Sequence, residues 1–302
     1  MIWLIELNYN IMDLLQETKN MCLKYDIKPL RSRGQNFLIK EIVHERIVKF
    51  AELESHDYVL EVGPGLGFLT EMLAKNCKKV IAVEIDDKLS KILADRLDKQ
   101  GISNVDIVNE DILKPIADEE VPIIKKFNQD SYKVVANLPY NITSIFFRRI
   151  LQARYKPESM VIMVQKEVAE RIIADPPKMS LLAVSVQFYA NPKIVAQVDK
   201  ESFWPKPRVD SAVLKLEIKN KFDPERLNKH ETGQINEGKF FEMVKIGFSA
   251  KRKMLKNNLA KGLKLSTKET EEKLIKAGFN KKIRAQELSI DDWVRLFTII
   301  NK

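Results

Sequence analysis

Asn137-Leu138-Pro139-Tyr140 sets an amide, a backbone carbonyl, a rigid turn and an aromatic ring side by side. Asn137 and the Leu138 carbonyl can both accept hydrogen bonds from an exocyclic amine. Pro139 fixes its own φ and biases Leu138 toward extended backbone, which aims that carbonyl outward. Tyr140 offers a face on which a base can stack. An adenine amine is a poor nucleophile, because its lone pair is delocalised into the ring. Two acceptors can hold the nitrogen in a more tetrahedral geometry and align it with an activated methyl group. Catalysis is then positioning and electrostatics, with no general base. Taken alone, the tetrapeptide also fits a strand-ending turn with Tyr140 packed inward.

Upstream lies Glu61-Val62-Gly63-Pro64-Gly65-Leu66-Gly67, after an apolar run and before a helical pattern. Glycine lets the backbone turn sharply and approach a ligand without a Cβ clash, which suits a nucleotide-like cofactor. The Gly-x-Gly-x-Gly spacing is one residue tighter than the dinucleotide fingerprint, and no Gly-Lys-Ser/Thr tail follows, which disfavours a phosphate-gripping loop. A tight strand–helix turn is the plain alternative. Glu84 ends the next apolar strand, where a carboxylate can accept from ribose hydroxyls. Asp111 follows the third strand, placed to meet an adenine amino group, with Glu110 beside it as the alternative. Acids at two successive strand ends after this turn favour a nucleoside cofactor. The two ends together read as transfer of a group from such a cofactor to a nucleobase nitrogen.

These residues need a sheet to position them. Tyr58-Val62, Lys79-Glu84, Val105-Val108, Tyr132-Ala136 and Ser159-Val164 read as buried strands, alternating with helical patterns over Phe68-Asn76, Asp87-Gln100 and Thr143-Ala153. That alternation predicts a mostly parallel sheet with helices on both faces. Beyond Lys166, Val184-Tyr189, Lys193-Val198 and Ala212-Ile218 are β-rich and are expected to add antiparallel strands. Lys219 to Gly238 is polar, with Pro224, Gly233 and Gly238, and reads as a linker. After it, Lys239-Lys261, Thr267-Ala277 and Ser289-Ile300 are expected to be helical, with Gly262 and Gly278 as stops. The expected organisation is an extension over 1–30, a catalytic domain over 31–218, the linker over 219–238 and a helical domain over 239–302. Residues 1–30 carry no assigned chemistry, and Leu113–Ser131 reads as a surface insertion.

The chain has 302 residues, 45% hydrophobic and 31% charged, as expected of a soluble globular protein of two domains. No run approaches the ~20 apolar residues of a membrane span, and Met1-Ile2-Trp3-Leu4-Ile5 is too short for a secretion signal. Cys22 and Cys77 lack metal-type spacing, and His44, His56 and His230 are scattered, so neither a disulfide framework nor a metal site is expected. A reducing cytoplasm is the expected compartment. The net charge of +9 is unevenly placed: Lys239 to Lys302 holds 16 Lys plus Arg against 7 Asp plus Glu. A basic block beside a balanced domain suggests a polyanionic partner, with a solvated helical face as the alternative.

Much of the chain from Ser32 to Leu288 resembles the small-subunit ribosomal RNA adenine dimethyltransferases. The ordered motifs are Arg33-Gly34-Gln35-Asn36-Phe37-Leu38, the glycine turn, Val83-Glu84-Ile85-Asp86, Asn137-Leu-Pro-Tyr-Asn141, Gln165-Lys-Glu-Val168, Phe203-Trp-Pro-Lys-Pro-Arg-Val-Asp-Ser211, Phe248-Ser-Ala-Lys-Arg-Lys253 and Arg284-Ala-Gln-Glu-Leu288. The resemblance implies a Rossmann-like, S-adenosylmethionine-dependent methyltransferase α/β sheet followed by a small helical domain. It implies dimethylation of two adjacent adenines in a hairpin loop near the end of small-subunit rRNA, late in ribosome biogenesis. By position, Asn36, Leu38, Gly63, Glu84, Asp111 and Asn137 resemble the family's cofactor contacts. Asn137, Leu138 and Tyr140 look like its amine-holding and stacking group. Phe203 looks like a second aromatic against a flipped base, or is a packed loop residue. Lys251, Arg252 and Lys253 look like RNA-backbone contacts, with an exposed helix face as the plain alternative. A monomer acting on rRNA or the assembling small subunit is expected. Met179-Ser180 stands where the family usually has Tyr-Gly, which bears on the local turn and its RNA contacts. The rivals are the erythromycin-resistance type of large-subunit methylase, a nonenzymatic assembly factor and a nicotinamide dehydrogenase. Phe248–Lys253 and Arg284–Leu288 favour the small-subunit enzyme.

Overall fold

The computed structural model describes residues 13–29, 34–114, 131–219 and 235–301. In chain order it has helix α1 (Leu14–Lys24), strand β1 (Phe37–Leu38), α2 (Glu41–Ala51), β2 (Tyr58–Val62), α3 (Phe68–Ala74), β3 (Lys79–Val83), α4 (Asp87–Lys99) and β4 (Val105–Val108). There follow β5 (Tyr132–Asn137), α5 (Thr143–Gln152), β6 (Ser159–Gln165), α6 (Lys166–Ile172), α7 (Leu181–Gln187), β7 (Ala190–Val198), β8 (Phe203–Trp204) and β9 (Ser211–Ile218). Four helices close the chain: α8 (Glu237–Gly247), α9 (Leu255–Leu263), α10 (Thr267–Lys276) and α11 (Ile290–Ile300).

Seven strands form one sheet in the order β4-β3-β2-β5-β6-β9-β7. The first five are parallel, whereas β9 runs antiparallel to both β6 and β7. Helices cover both faces, so the parallel strands are nearly continuous runs of buried Val, Ile, Leu and Ala. The chain moves outward from β2 through β3 to β4, then returns to lay β5 on the other side of β2. That reversal opens a crevice at the carboxyl ends of β2 and β5, the place where open α/β sheets bind ligands.

Two expectations fail for identifiable reasons. Val184-Tyr189 is not a strand; most of it lies in α7. Ser180 caps that helix, its hydroxyl accepting from the Ala183 N–H at 3.1 Å. Leu182 and Val186 pack into the sheet core, while Ala183 and Val184 pack into the core of the C-terminal helices. A helix buried on two sides loses its polar face, and with it the periodicity that identifies it. The Met179-Ser180 departure therefore serves packing: Met179 is buried in that second core, and its N–H donates to the Gln286 carbonyl at 3.1 Å.

Lys239-Lys261 is likewise not one helix. It breaks between α8 and α9, where buried Asn258 donates to the carbonyls of Gly247 (2.6 Å) and Ala250 (3.2 Å). The Leu255 N–H turns to the Ile283 carbonyl at 2.8 Å. Gly262 lies inside α9, which ends instead at Lys264 in the left-handed conformation. Gly278 does follow the end of α10. Of the expected linker only Lys219 and the residues from Ile235 are described, and residues 115–130 of the expected insertion lie outside the described residues. No described helix is long and apolar enough to cross a membrane.

Candidate active site at the sheet switch point

The glycine turn grows directly out of β2. The Gly63 N–H extends the sheet by donating to the Val83 carbonyl at 2.9 Å, and the Gly67 N–H closes the turn on the Pro64 carbonyl at 3.0 Å. Gly67 takes a φ of 89°, which favours glycine, and a Cβ there would lie 2.5 Å from Leu93 Cδ1, so a larger residue would strain the turn and push Leu93 of α4 aside.

Glu84 stitches this turn to the end of β3. Its Oε2 accepts from the Gly65 N–H at 3.1 Å and its Oε1 from the Asp86 N–H at 3.0 Å. The residue is 6% exposed. Burial pushes its carboxyl above the ordinary range, against the pull of those two N–H groups. Asp86 caps α4 and accepts from Gln35 Nε2 at 3.4 Å.

One cavity is lined by residues of several motifs, among them Asn36, Leu38, Gly63, Glu84, Asn137 and Tyr140. Gly34 lies flat against the proline turn, and a Cβ there would meet Pro139 Cβ at 3.2 Å. Leu38 is held by pairing of β1 with β8, in which Leu38 faces Phe203 and Phe37 faces Trp204. Asn137 ends β5 and Leu138 follows it, its side chain buried and its N–H on the Met163 carbonyl at 3.2 Å. The Pro139 carbonyl accepts from the Ile142 N–H at 3.2 Å, closing the turn into α5. Tyr140 is half-buried, with its hydroxyl 2.9 Å from the Oγ of fully buried Ser211; burial pushes its phenol pKa up.

Other sequence-derived residues lie elsewhere. Phe203 is 3% exposed and packs with Leu38, Val43 and Val213 in the core under α2. Asp111 is exposed beyond β4, accepts from the Leu113 N–H at 2.8 Å and is not in the described cavity wall. Lys251, Arg252 and Lys253 are exposed on the turn between α8 and α9, not on a helix face.

Two titratable cavity residues carry no role in the sequence reading. His44 of α2 is buried, which pushes its imidazole down to about 4, so the ring is neutral near pH 7. Glu61 of β2 lines the cavity at 1% exposure, and its Oε2 has no hydrogen-bond partner among the described residues. Burial pushes its carboxyl up to about 8. The Thr70 hydroxyl, approaching without good hydrogen-bond geometry, offsets part of this, and the neighbouring Glu84 charge adds to it. The signal was present: a carboxylate inside the buried strand Tyr58-Val-Leu-Glu-Val62 is costly unless a ligand compensates it.

A pH dependence follows. The folded-state pKa of Glu61 lies above its unfolded value, so its contribution to stability is full below the unfolded pKa. That contribution is lost as pH rises through about 8. Glu61→Gln should therefore flatten the fall in melting temperature over this range, measured without cofactor. Parallel pH profiles for the two proteins would contradict the assignment.

The ribosomal RNA adenine dimethylase family matches residues 28–302. The chain belongs to this family. The ribosomal RNA small subunit methyltransferase A of Dehalococcoides mccartyi strain CBDB1 is 42% identical over 284 residues, covering 94% of this chain and 92% of the relative. The Anoxybacillus flavithermus protein of the same name is 40% identical over 288 residues, covering 92% of each. Among solved structures, a dimethyladenosine transferase from Plasmodium falciparum superposes with TM-score 0.70 at 25% identity, over 87% of this chain and 96% of that one. The 23S rRNA methyltransferase ErmE gives 0.64 at 28% identity, over 88% of this chain and all of the other. The fold is shared with both solved structures, whereas the high-identity relatives carry the small-subunit name.

Proposed function

We infer that this chain is an S-adenosylmethionine-dependent rRNA adenine dimethyltransferase that modifies small-subunit rRNA during ribosome biogenesis. The observation that carries this is one cavity joining the glycine turn, Glu84 and the Asn137–Tyr140 turn, in a chain matched by the adenine dimethylase family over residues 28–302.

The cavity residues fit the cofactor. Glu84 retains lone pairs for ribose hydroxyls beyond its two N–H partners. Glu61 is a buried carboxylate that a cationic ligand would stabilise in its ionised form. S-adenosylmethionine supplies an electrophilic methyl on a cationic sulfur. The chain's own task is to present the adenine. Asn137 and the Leu138 carbonyl accept from the exocyclic amine, Tyr140 stacks on the base, and Ser211 holds the Tyr140 hydroxyl. Phe203 backs the target side of the cavity from its buried position opposite Leu38, through β1 and β8, without touching the base. Asn36 and Leu38 wall the cofactor, and Asp111 meets its adenine from the loop after β4. The exposed Lys251-Arg252-Lys253 turn contacts RNA phosphates. In this reading residues 31–218 form the catalytic domain, 219–238 the linker and 239–302 the RNA-binding domain. The enzyme works as a cytoplasmic monomer, on two adjacent adenines of the 3′-terminal hairpin loop, in the assembling subunit.

Glu84→Ala should weaken S-adenosylmethionine binding about tenfold or more, the scale of a lost charge-assisted hydrogen bond. Calorimetry checks this; unchanged affinity in a folded variant would remove Glu84 from the cofactor site. Transfer of labelled methyl groups tests substrate choice. Undermethylated small subunits should be labelled and large-subunit rRNA should not; the reverse pattern would overturn the reading.

A further inference from the structure

Helix α1 lies before residue 28, where the family match begins, yet it packs against the cavity wall. Its Cys22 is buried in one cluster with Phe37, Leu66, Phe68 and Leu89, all four of which line the cavity. Arg96 of α4 locks this arrangement. Its Nη1 donates to Glu17 of α1 at 2.6 Å and approaches Met21 Sδ at 3.3 Å. Its Nε and Nη2 form a fork with the Glu71 carboxylate of α3, the second contact at 3.2 Å. The guanidinium covers the Phe68 ring, 4.4 Å from its centroid. Arg96 and Glu17 are only 13% and 29% exposed, so solvent screens the pair less than an open surface bridge. Behind α1, Lys88 donates to the Asp26 carbonyl at 3.3 Å, fixing the helix exit to the start of α4.

We propose that α1 is a working part of the cofactor site, and that Arg96 is a positioning residue that sets cofactor affinity by tying α1 to α3 over the Phe68 ring. The proposal rests on reading the cavity as the S-adenosylmethionine site. The glycine turn is short and glycine-rich, so its ligand-ready shape depends on what packs behind it. Phe68 directly follows Gly67, and Arg96 Cδ lies 3.5 Å from where a Gly67 Cβ would stand. One side chain thus joins the turn, the helix that follows it and the N-terminal helix.

The test uses the full chain with Glu17→Gln, Arg96→Lys and, as a control on the same helix, Leu23→Ser at a position 81% exposed. Glu17→Gln removes only the charge from α1, and Arg96→Lys keeps the charge but loses the planar fork. S-adenosylmethionine affinity is measured by calorimetry well below the melting temperature, beside affinity for an rRNA hairpin. Amide exchange is followed over Gly63–Phe68. Glu17→Gln should raise the cofactor Kd by about 3- to 10-fold, the usual range for a residue that acts through a neighbour. Arg96→Lys should raise it further, Leu23→Ser should not change it, and RNA affinity should hold in all three. Exchange at the turn should quicken in the first two. Lower melting temperatures with unchanged Kd and unchanged exchange would reduce α1 to a structural strut and overturn the proposal alone. A wild-type chain that binds no S-adenosylmethionine would sink the cofactor reading as well.

Discussion

Asn137→Ala is expected to slow methyl transfer by roughly 100-fold or more at saturating cofactor and RNA, the scale of losing a preorganised polar group at a reacting centre. The structure supports a local effect. Asn137 is the last residue of β5, paired with Met163 of β6, so its backbone is fixed by the sheet and not by its own amide. Removing the amide takes one of two acceptors from the adenine amine and leaves the Leu138 carbonyl. The nitrogen lone pair then stays in conjugation with the ring, and the methyl group meets a poor nucleophile. Asn137 also lines the cavity proposed to hold the cofactor, so cofactor affinity can fall in the same variant. Single-turnover rates at saturating S-adenosylmethionine separate the two effects. A near-wild-type rate would defeat the two-acceptor mechanism.

Reversing Lys251, Arg252 and Lys253 to Glu should weaken RNA binding strongly and leave cofactor binding unchanged. The residues stand exposed on a turn that Asn258 pins through the Gly247 and Ala250 carbonyls, so three cations project from a fixed backbone. The final 64 residues carry the whole net charge of the chain. Each lost phosphate contact should reduce the slope of log affinity against log salt by about 0.7–0.9. Titration of a small-subunit rRNA hairpin across a salt series measures that slope. Equal slopes for the two proteins would place the cations on a solvated face and end the phosphate-contact reading.

The parallel half of the sheet was legible in the chain because strands buried on both faces are written as short apolar runs, as in Val80-Ile81-Ala82-Val83. The glycine turn and the Asn137–Tyr140 turn were legible as turns for a different reason: glycine, proline and asparagine mark backbone shapes that few other residues can supply. Tertiary burial hid the rest. Helix α7 reads as a strand because it is apolar on two sides, which nothing local distinguishes from an apolar strand. The break between α8 and α9 depends on Asn258, whose partners become visible only when the helices fold back on each other. Glu61 was in plain sight inside a motif, but its lack of a partner is a fact of three dimensions. Helix α1 carries no chemistry of its own in its sequence. Its significance comes from Arg96, far along the chain.

In this reading the cavity moves methyl groups onto adenine N6 of small-subunit rRNA. The most direct test incubates the purified chain with S-adenosylmethionine and small subunits lacking the modification, then digests the rRNA and identifies its nucleosides by mass spectrometry. N6,N6-dimethyladenosine is expected in the 3′-terminal hairpin, forming roughly 100-fold or more slowly when Asn137→Ala replaces the wild-type chain. Small-subunit rRNA that gains no methylated adenine, under conditions where the chain binds S-adenosylmethionine, would contradict it.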